Sequence, residues 1–544
     1  MTEPNPRDRA RPDGSVLFLA LAGVALELLT GLRYGIFRDE LYYLDCANHL
    51  GWGYVDQPPF SIALLAGWRA LFGDGLLAIR VPPALALGAL IILTAGLARD
   101  LGAGRYGRFL AAAGALACPV FLAFGSFYSM NPFDALFWVI ALRIFARILE
   151  RDADAGDAVA GGAGSAGGSG SADGSGASHG TPRLWLLLGL VMGLGLMNKI
   201  SVLYFAVALL LALLAAPARR QLATRWPWLG VAIAAALFLP HLIWQIAHGW
   251  PTVEFVLNAK RHKIAALGFG GFASHQLLEM GPLNWLMYAP GLLWLLLARS
   301  AARWRALGWL FVAAFLILSL QRSKPYYLAP AYPALLAGGG CAIESWTRSG
   351  FWLRRGWRSV RPRLALILLA GGVMTGPLVI PALSPERLIA YLRAIGIKPP
   401  AEERGRQAEL PQLLADRFGW QELADAVAST WRSLPEADRA RAGIVARNYG
   451  EAGAINYFGR KLGLPRAASG HNSYWLWGPP AHTDVIVAVG FDLEDLQKSF
   501  ASVKPAVRRV SRWAMPYESD LTVYVCRDWK VPPEEGWRGT RLFI

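Results

Sequence analysis

The sequence predicts an α-helical polytopic membrane protein of about 11 transmembrane helices, followed by a small C-terminal α/β domain. Three observations carry this. Of 544 residues, 54% are hydrophobic and 17% charged, with 22 Trp, a balance that soluble chains of this size rarely show. Apolar runs near 20 residues recur, the length that crosses a hydrocarbon core of about 30 Å. From about residue 384 those runs stop, and short β-prone segments alternate with helical ones.

The spans are expected roughly at 16–34, 76–98, 107–125, 132–149, 184–198, 201–216, 228–247, 277–298, 306–321, 327–346 and 363–382. The fifth and sixth are short and abut at Asn198-Lys199, as in a hairpin that stops short of the far surface. The first run resembles a signal peptide, but no small-x-small site ends it, so it reads as an uncleaved first helix.

Basic residues set the expected orientation. Arg7, Arg9 and Arg11 precede the first span. Arg99, Arg105 and Arg108 follow the second, Arg219, Arg220 and Arg225 the sixth, and Arg299, Arg303 and Arg305 the eighth. Arg354, Arg355, Arg358, Arg361 and Arg363 precede the eleventh. All fall on one side, which is then cytoplasmic. The net charge of +16 is therefore mostly topology. A nucleic-acid reading would need a basic face with aromatic platforms, and these charges are scattered between spans. The expected location is a bacterial inner membrane, with the N-terminus cytoplasmic and the C-terminal domain extracytoplasmic.

Residues 1–383 make the membrane domain and 384–544 the outer domain. Between them in character is 152–181, rich in Gly, Ser, Ala and Asp, which reads as a disordered cytoplasmic loop. In the tail, Ile444–Ala446, Asp484–Val489 and Leu521–Val525 read as strands, and Glu451–Lys461 and Leu493–Phe500 as helices. The four cysteines form no C-x-x-C, so ribbon and thioredoxin chemistry are unsupported. A Cys46–Cys526 disulfide is open to an oxidising compartment.

Candidate site residues gather on the outer side. Asp39 and Glu40, beside Arg38, leave the first span, where an acidic pair is costly near lipid and common at interfacial chemistry. The ordinary alternative is a solvated loop carboxylate. The first outer loop, about 35–75, also carries Asp56 and Gln57 before a stiffening diproline; alone they read as a turn. Asp134 lies about one turn inside the fourth span, either functional or a helix-start carboxylate. Lys199, Lys324, Tyr326 and Tyr327 suit a lipid phosphate, with headgroup anchoring as the bland alternative. His241 and His248 share a helix face, but further metal ligands are not evident. In the tail, His471, Asn472, Tyr474 and Trp475 combine polar groups with aromatic rings. They suit an acceptor sugar or an anchor in the headgroup layer.

Together these residues resemble the GT-C membrane glycosyltransferases, in the group holding protein O-mannosyltransferases and bacterial aminoarabinose transferases. The marks are Asp39-Glu40 after span one, Asp56-Gln57-Pro58-Pro59, Asp134, Asn198-Lys199 and Tyr326-Tyr327-Leu328-Ala329-Pro330. The resemblance covers the membrane half most clearly. It implies a polyprenyl-phosphate-linked sugar as donor, inversion at the anomeric carbon, and a lipid, glycan or protein acceptor outside the membrane. It makes Asp39 the catalytic base, with Glu40 and Asp134 beside it. Arg38, Lys199, Lys324, Tyr326 and Tyr327 would hold the donor phosphate. Two positions depart from the aminoarabinose transferases: Gln57 replaces a basic residue, and Tyr42 an arginine. Asn448-Tyr449-Gly450-Glu451-Ala452 also resembles tails of bacterial members, without an assigned role.

The chemistry needs one base. The phosphate is already a good leaving group, so a carboxylate that takes the acceptor proton suffices, worth on the order of 10²–10⁴-fold. No cofactor is implied, and a divalent metal is left open. Asp152-Ala153-Asp154 spells the metal motif of nucleotide-sugar enzymes, but in the wrong compartment. Two other classes stand beside this one: a transporter or lipid flippase using intramembrane carboxylates, and a scaffold whose outer domain binds a partner.

Overall fold

The computed structural model describes residues 13–162, 181–263, 267–348, 360–398 and 408–544. The membrane half begins with α1 (Gly14–Gly31) and leaves it for two short helices, α2 (Arg38–Asn48) and α3 (Phe60–Phe72). It returns as α4 (Leu76–Asp100), α5 (Arg105–Leu116), α6 (Pro119–Gly125), α7 (Asn131–Gly162), α8 (Thr181–Asn198) and α9 (Val202–Leu214). Next come α10 (Arg225–Ala247), α11 (Pro251–Asn258), α12 (Phe269–Met280), α13 (Trp285–Leu297), α14 (Arg305–Leu320), α15 (Tyr332–Arg348) and α16 (Val360–Thr375).

A helix lies at each predicted span, yet fewer qualify as crossings by length and composition. Among the described residues, five do: α1, α4, α8, α10 and Arg299–Leu320; the number rises to eight if three bent pairs each count as one. Those pairs are α5 with α6, α9 with Pro217–Ala223, and α12 with α13, bent by 67°, 111° and 118°. The breaks follow from sequence. Pro119 and Pro217 open the second member of two pairs, where proline can start a helix but not continue one. Gly281, at φ +88°, ends α12. α15 and α16 are shorter than a full span, and the apolar half of α7 carries Asp134, Arg143 and Arg147.

The most lipid-like surface is α10, where Trp228, Val231, Ile243 and Ile246 are all more than half exposed. The opposite extreme is α15. A Cβ at Gly339 or Gly340 would strike the backbone of Met287 or Gly107, so α15 lies directly against α13 and α5.

Of the expected loop at 152–181, residues 152–162 belong to α7 and Thr181 opens α8. Asp152 is buried there and accepts from Arg220 Nε at 2.9 Å. Residues 163–180 lie outside the described ones, as do Arg7, Arg9, Arg11, Arg354, Arg355 and Arg358.

The tail contains one five-stranded sheet, ordered β2-β1-β3-β5-β4. Strands β1 (Ala442–Ala446), β2 (Ala467–Ser469) and β3 (Val485–Val489) run parallel. Strands β4 (Phe500–Val510) and β5 (Asp520–Trp529) are antiparallel. β1, β3 and β5 cover the predicted strands. β2 is three residues long, and β4 carries Lys504, Pro505, Arg508 and Arg509. It is an edge strand with a register shift at Pro505–Val507, where proline is tolerated. Helices Trp420–Ser433 and Tyr449–Phe458 join this sheet to α2. Leu41, Tyr42, Tyr43, Trp420, Ala452, Ile455 and Val487 belong to one buried cluster, so tail and first loop share a core. All four cysteines are free; Cys46 and Cys526 sit in separate buried clusters, which removes the expected disulfide option.

Candidate active site

Asp39 and Glu40 are neighbours with opposite environments. Both lie in the first turn of α2, where unpaired N–H groups favour negative charge. Glu40 faces inward and is 1% exposed. Its Oε2 accepts from Phe37 N at 2.8 Å and Arg80 Nη2 at 2.9 Å. Its Oε1 accepts from Tyr128 N at 3.0 Å and Arg80 Nε at 3.2 Å. Arg80, from within α4, also donates to the carbonyls of Gly31 and Gly35. Every lone pair Glu40 could use for chemistry is occupied. These contacts clamp α2 to α4 through Glu40 and Arg80.

Asp39 faces the tail, with its side chain 38% exposed. Its Oδ1 accepts from Tyr449 Oη at 2.9 Å and lies 3.7 Å from Arg38 Nε. Its Oδ2 has no partner among the described residues. Arg38 itself is held by the tail: Nη1 donates to Tyr517 Oη at 2.7 Å and lies 3.6 Å from Asp416. Its guanidinium stands 5.4 Å from the centre of the Tyr449 ring.

A second cluster forms at the ends of α7 and α8. Asp134 is buried, and its Oδ2 accepts from Ser201 Oγ at 3.1 Å and faces Lys199 Nζ at 3.4 Å. Lys199 Nζ donates to Asn131 Oδ1 at 2.8 Å and lies 4.8 Å and 5.6 Å from the ring centres of Tyr327 and Tyr326. Lys324 Nζ is 6.0 Å from the Tyr326 ring and has no carboxylate partner among the described residues. The structure thus brings Lys199, Lys324, Tyr326 and Tyr327 together. Asp39 and Asp134 do not bond to each other; their clusters connect through Tyr43, whose hydroxyl accepts from Met130 N at 3.3 Å.

The first outer loop packs on the same tail. Tyr42 Oη lies 2.8 Å from Asp56 Oδ1 and 2.7 Å from Ser473 Oγ. The ionised Asp56 carboxylate can only accept, so the single Tyr42 proton goes to Asp56 and the serine proton goes to Tyr42, while Ser473 Oγ accepts from Val55 N at 3.1 Å. Burial pushes the Tyr42 hydroxyl well above its usual range, so it stays a donor. Gln57 is fully buried, with neither end of its amide hydrogen-bonded among the described residues.

The tail loop that carries His471, Asn472, Tyr474 and Trp475 makes docking contacts within the protein. His471 Nε2 lies 3.0 Å from Ile544 O, and Asn472 Oδ1 accepts from Ile544 N at 3.0 Å. Tyr474 donates to Asp45, which also accepts from Asn456 Nδ2 at 2.6 Å. Trp475 packs edge-on to Phe543, with Arg541 over its ring at 5.0 Å. These contacts fasten the tail to the first loop and to its own last residues, which accounts for the polar and aromatic mixture.

Sequence reasoning missed Arg80, hidden in an apolar span, and Tyr449. It also missed Arg417, buried under the first loop and donating to Ser126 Oγ at 2.8 Å. Burial and the nearby Arg80 pull the Arg417 guanidinium down to about 9. Behind Asn448, burial pushes the Glu518 carboxyl up to about 7, and burial plus the Glu518 charge raises Glu451 too. His241 is held by Trp52 O at 3.0 Å and Gln245 at 3.3 Å. No group of three His, Cys, Asp or Glu side chains among the described residues is arranged to hold a metal.

Residues 56–168 and 175–244 match the family model of dolichyl-phosphate-mannose-protein mannosyltransferases, about a third of the chain. A stretch of 169 residues is 30% identical to the lipid A galacturonosyltransferase RgtD of Rhizobium johnstonii, covering 29% of this chain and 34% of that protein. The chain thus spans about a third of the curated relative it matches. The structure is similar to apo ArnT from Cupriavidus metallidurans, with TM-score 0.56 and 14% identity, covering 94% of this chain and 98% of that one. ArnT bound to undecaprenyl phosphate gives 0.54 at 15% identity, over 93% and 97%. The Archaeoglobus fulgidus oligosaccharyltransferase AglB, in complex with an inhibitory peptide and a dolichol-phosphate, gives 0.51 at 13% identity, over 88% and 69%. The chain is a multi-pass membrane protein with the GT-C glycosyltransferase fold, and it resembles the aminoarabinose transferase and protein mannosyltransferase group.

Proposed function

We propose that this chain is an inverting glycosyltransferase. It moves a sugar from a polyprenyl-phosphate-linked donor to a lipid, glycan or protein acceptor at the outer face of the cytoplasmic membrane. One observation carries the reading: Asp39 is an accessible carboxylate with one oxygen held and the other open, at the edge of a bundle with this fold. The open oxygen takes the acceptor hydroxyl proton. The acceptor oxygen then bonds the anomeric carbon from the face opposite the phosphate, and the carbon–phosphate-oxygen bond breaks with its electrons leaving on the phosphate. Lys324, with no carboxylate partner among the described residues, and Lys199, against two tyrosine rings, supply positive charge that binds the donor phosphate. Asp134 keeps Lys199 in place, and Glu40 keeps α2 in place.

The names of the relatives supply the first donors and acceptor to try. Purified protein in proteoliposomes should transfer sugar from at least one of undecaprenyl-phosphate aminoarabinose, galacturonic acid or mannose, with lipid A or a peptide as acceptor. The product's anomeric configuration should be opposite to the donor's. Movement of the donor lipid between leaflets with no transfer would support the transport reading instead. Against that reading stands Asp134, its candidate relay group, which is ion-paired to Lys199.

A further inference from the structure

We propose that Tyr449, carried by the tail, is a positioning residue for Asp39: its hydroxyl holds one carboxylate oxygen so that the other meets the acceptor. This rests on the reading of Asp39 as the base. The tail would then be part of the catalytic apparatus, not only a cover above it.

The geometry is specific. Tyr449 Oη donates to Asp39 Oδ1 across a sequence separation of 410 residues. The ring is fixed on several sides: Tyr42 at 5.0 Å between centres, His471 at 4.8 Å, and the Arg38 guanidinium over its face. Tyr449 opens its helix, and the start of that helix is locked. Asn448 Oδ1 accepts from Gly450 N at 2.9 Å and Glu451 N at 3.0 Å, and Glu451 Oε2 accepts from Asn448 N at 3.2 Å. Two small residues let this helix close on α2. A Cβ on Gly450 would come within 2.6 Å of Arg38 Cγ, and one on Gly453 within 2.9 Å of Leu41 Cβ. The segment Asn448-Tyr449-Gly450-Glu451 thereby acquires a physical purpose: cap, hydroxyl, clearance and counter-cap, all serving one contact with Asp39.

The hydroxyl does not enter the reaction. It keeps its proton, donates it to Oδ1 and fixes the side-chain rotamer. Oδ2 is left as the acceptor of the substrate proton. Tyr43, one helical turn on from Asp39 in α2, turns its hydroxyl to Met130 N instead, from which it accepts at 3.3 Å.

The test compares wild type, Tyr449→Phe and Asp39→Asn in cells lacking the gene, at matched membrane levels. The readout is the rate of synthesis, in spheroplasts, of the envelope glycoconjugate that disappears on deletion. Tyr449→Phe should lower the rate about ten- to a hundredfold. The tail should stay protease-resistant. Should the Phe variant fail to fold, two replacements at position 449 carry the test: 3-fluorotyrosine, which keeps ring and hydroxyl, should stay within about threefold of wild type, and O-methyltyrosine, which keeps the ring and loses the donor, should be slowed like Phe. An unchanged rate in Tyr449→Phe or with O-methyltyrosine, or a fluorotyrosine protein slowed about tenfold or more, overturns the proposal. If Asp39→Asn is inactive while Tyr449→Phe is normal, only the tyrosine assignment falls. If Asp39→Asn is active, the base assignment falls and takes this inference with it.

Discussion

The α2 region and the α7–α8 region are built on different plans. At α7–α8, Asp134, Asn131, Lys199 and Ser201 come from two helix ends, with the tyrosines of the 325–331 turn beside them. Everything there belongs to the membrane half. At α2, Asp39, Tyr42 and Asp45 each take a partner from the tail: Tyr449, Ser473 and Tyr474. One cationic site is complete without the tail, and one acidic site is not. In the proposed reaction this separates donor binding, which the bundle manages alone, from proton removal, which waits for the docked tail.

The contrast can be broken most severely at Glu40. Glu40→Ala leaves Arg80 buried and unpaired, which costs about 3–5 kcal/mol. The variant should accumulate poorly in membranes, and what is purified should melt well below wild type. A normal melting temperature would mean that the clamp is dispensable and that the two acidic neighbours differ less than their surroundings suggest.

Lys324→Ala probes the other region. A lost charge-assisted contact to phosphate is worth about 1.5–3 kcal/mol, so donor KM should rise roughly ten- to a hundredfold with turnover at saturation nearly unchanged. Unchanged KM with lost turnover would make Lys324 a residue that acts on the transition state.

Tail docking should depend on pH through Glu518. Its carboxyl, ordinarily near 4.5, is raised to about 7 by burial in the folded tail. Between those values the folded protein holds more protons than the unfolded one, so stability falls as pH rises through the window. Protease resistance of the tail should therefore drop between about pH 5 and pH 8, and Glu518→Gln should flatten that dependence. A wild-type tail equally resistant throughout would contradict it.

The mildest change is Ser473→Ala. It removes the proton that Ser473 gives Tyr42 and the acceptor for Val55 N, a loss of about 0.5–1.5 kcal/mol per bond. A small fall in the tail's melting midpoint with near-normal donor KM is expected, since the cationic site does not touch this contact. A large rise in donor KM would join the two regions that the geometry separates.

Much of the fold was legible because lipid solvation writes itself into long apolar runs, and because Val485–Val489 and Leu521–Val525 are β-branched and buried. The count of crossings was less legible. Bends at Pro119 and Gly281 divide runs that read as single spans. β4 was invisible because an exposed edge strand need not be apolar. In the candidate site, Asp39 and the Lys199–Tyr327 group could be singled out, since charges at span ends stand out. Arg80 could not, and Tyr449 stood in a motif without a role, because each touches a partner far away in sequence. The loop His471–Trp475 shows the same ambiguity: residues suited to stacking on sugars are equally suited to packing a tail against a loop.

The most direct test of the account is a paired measurement on Asp39→Asn in proteoliposomes: binding of the active polyprenyl-phosphate sugar, and the rate of transfer in a single turnover. The account predicts donor affinity within about twofold of wild type, because Lys199 and Lys324 are untouched, and transfer slowed by on the order of 10²–10⁴-fold. Transfer at the wild-type rate would contradict it, and so would a loss of donor binding that accounts for the whole defect.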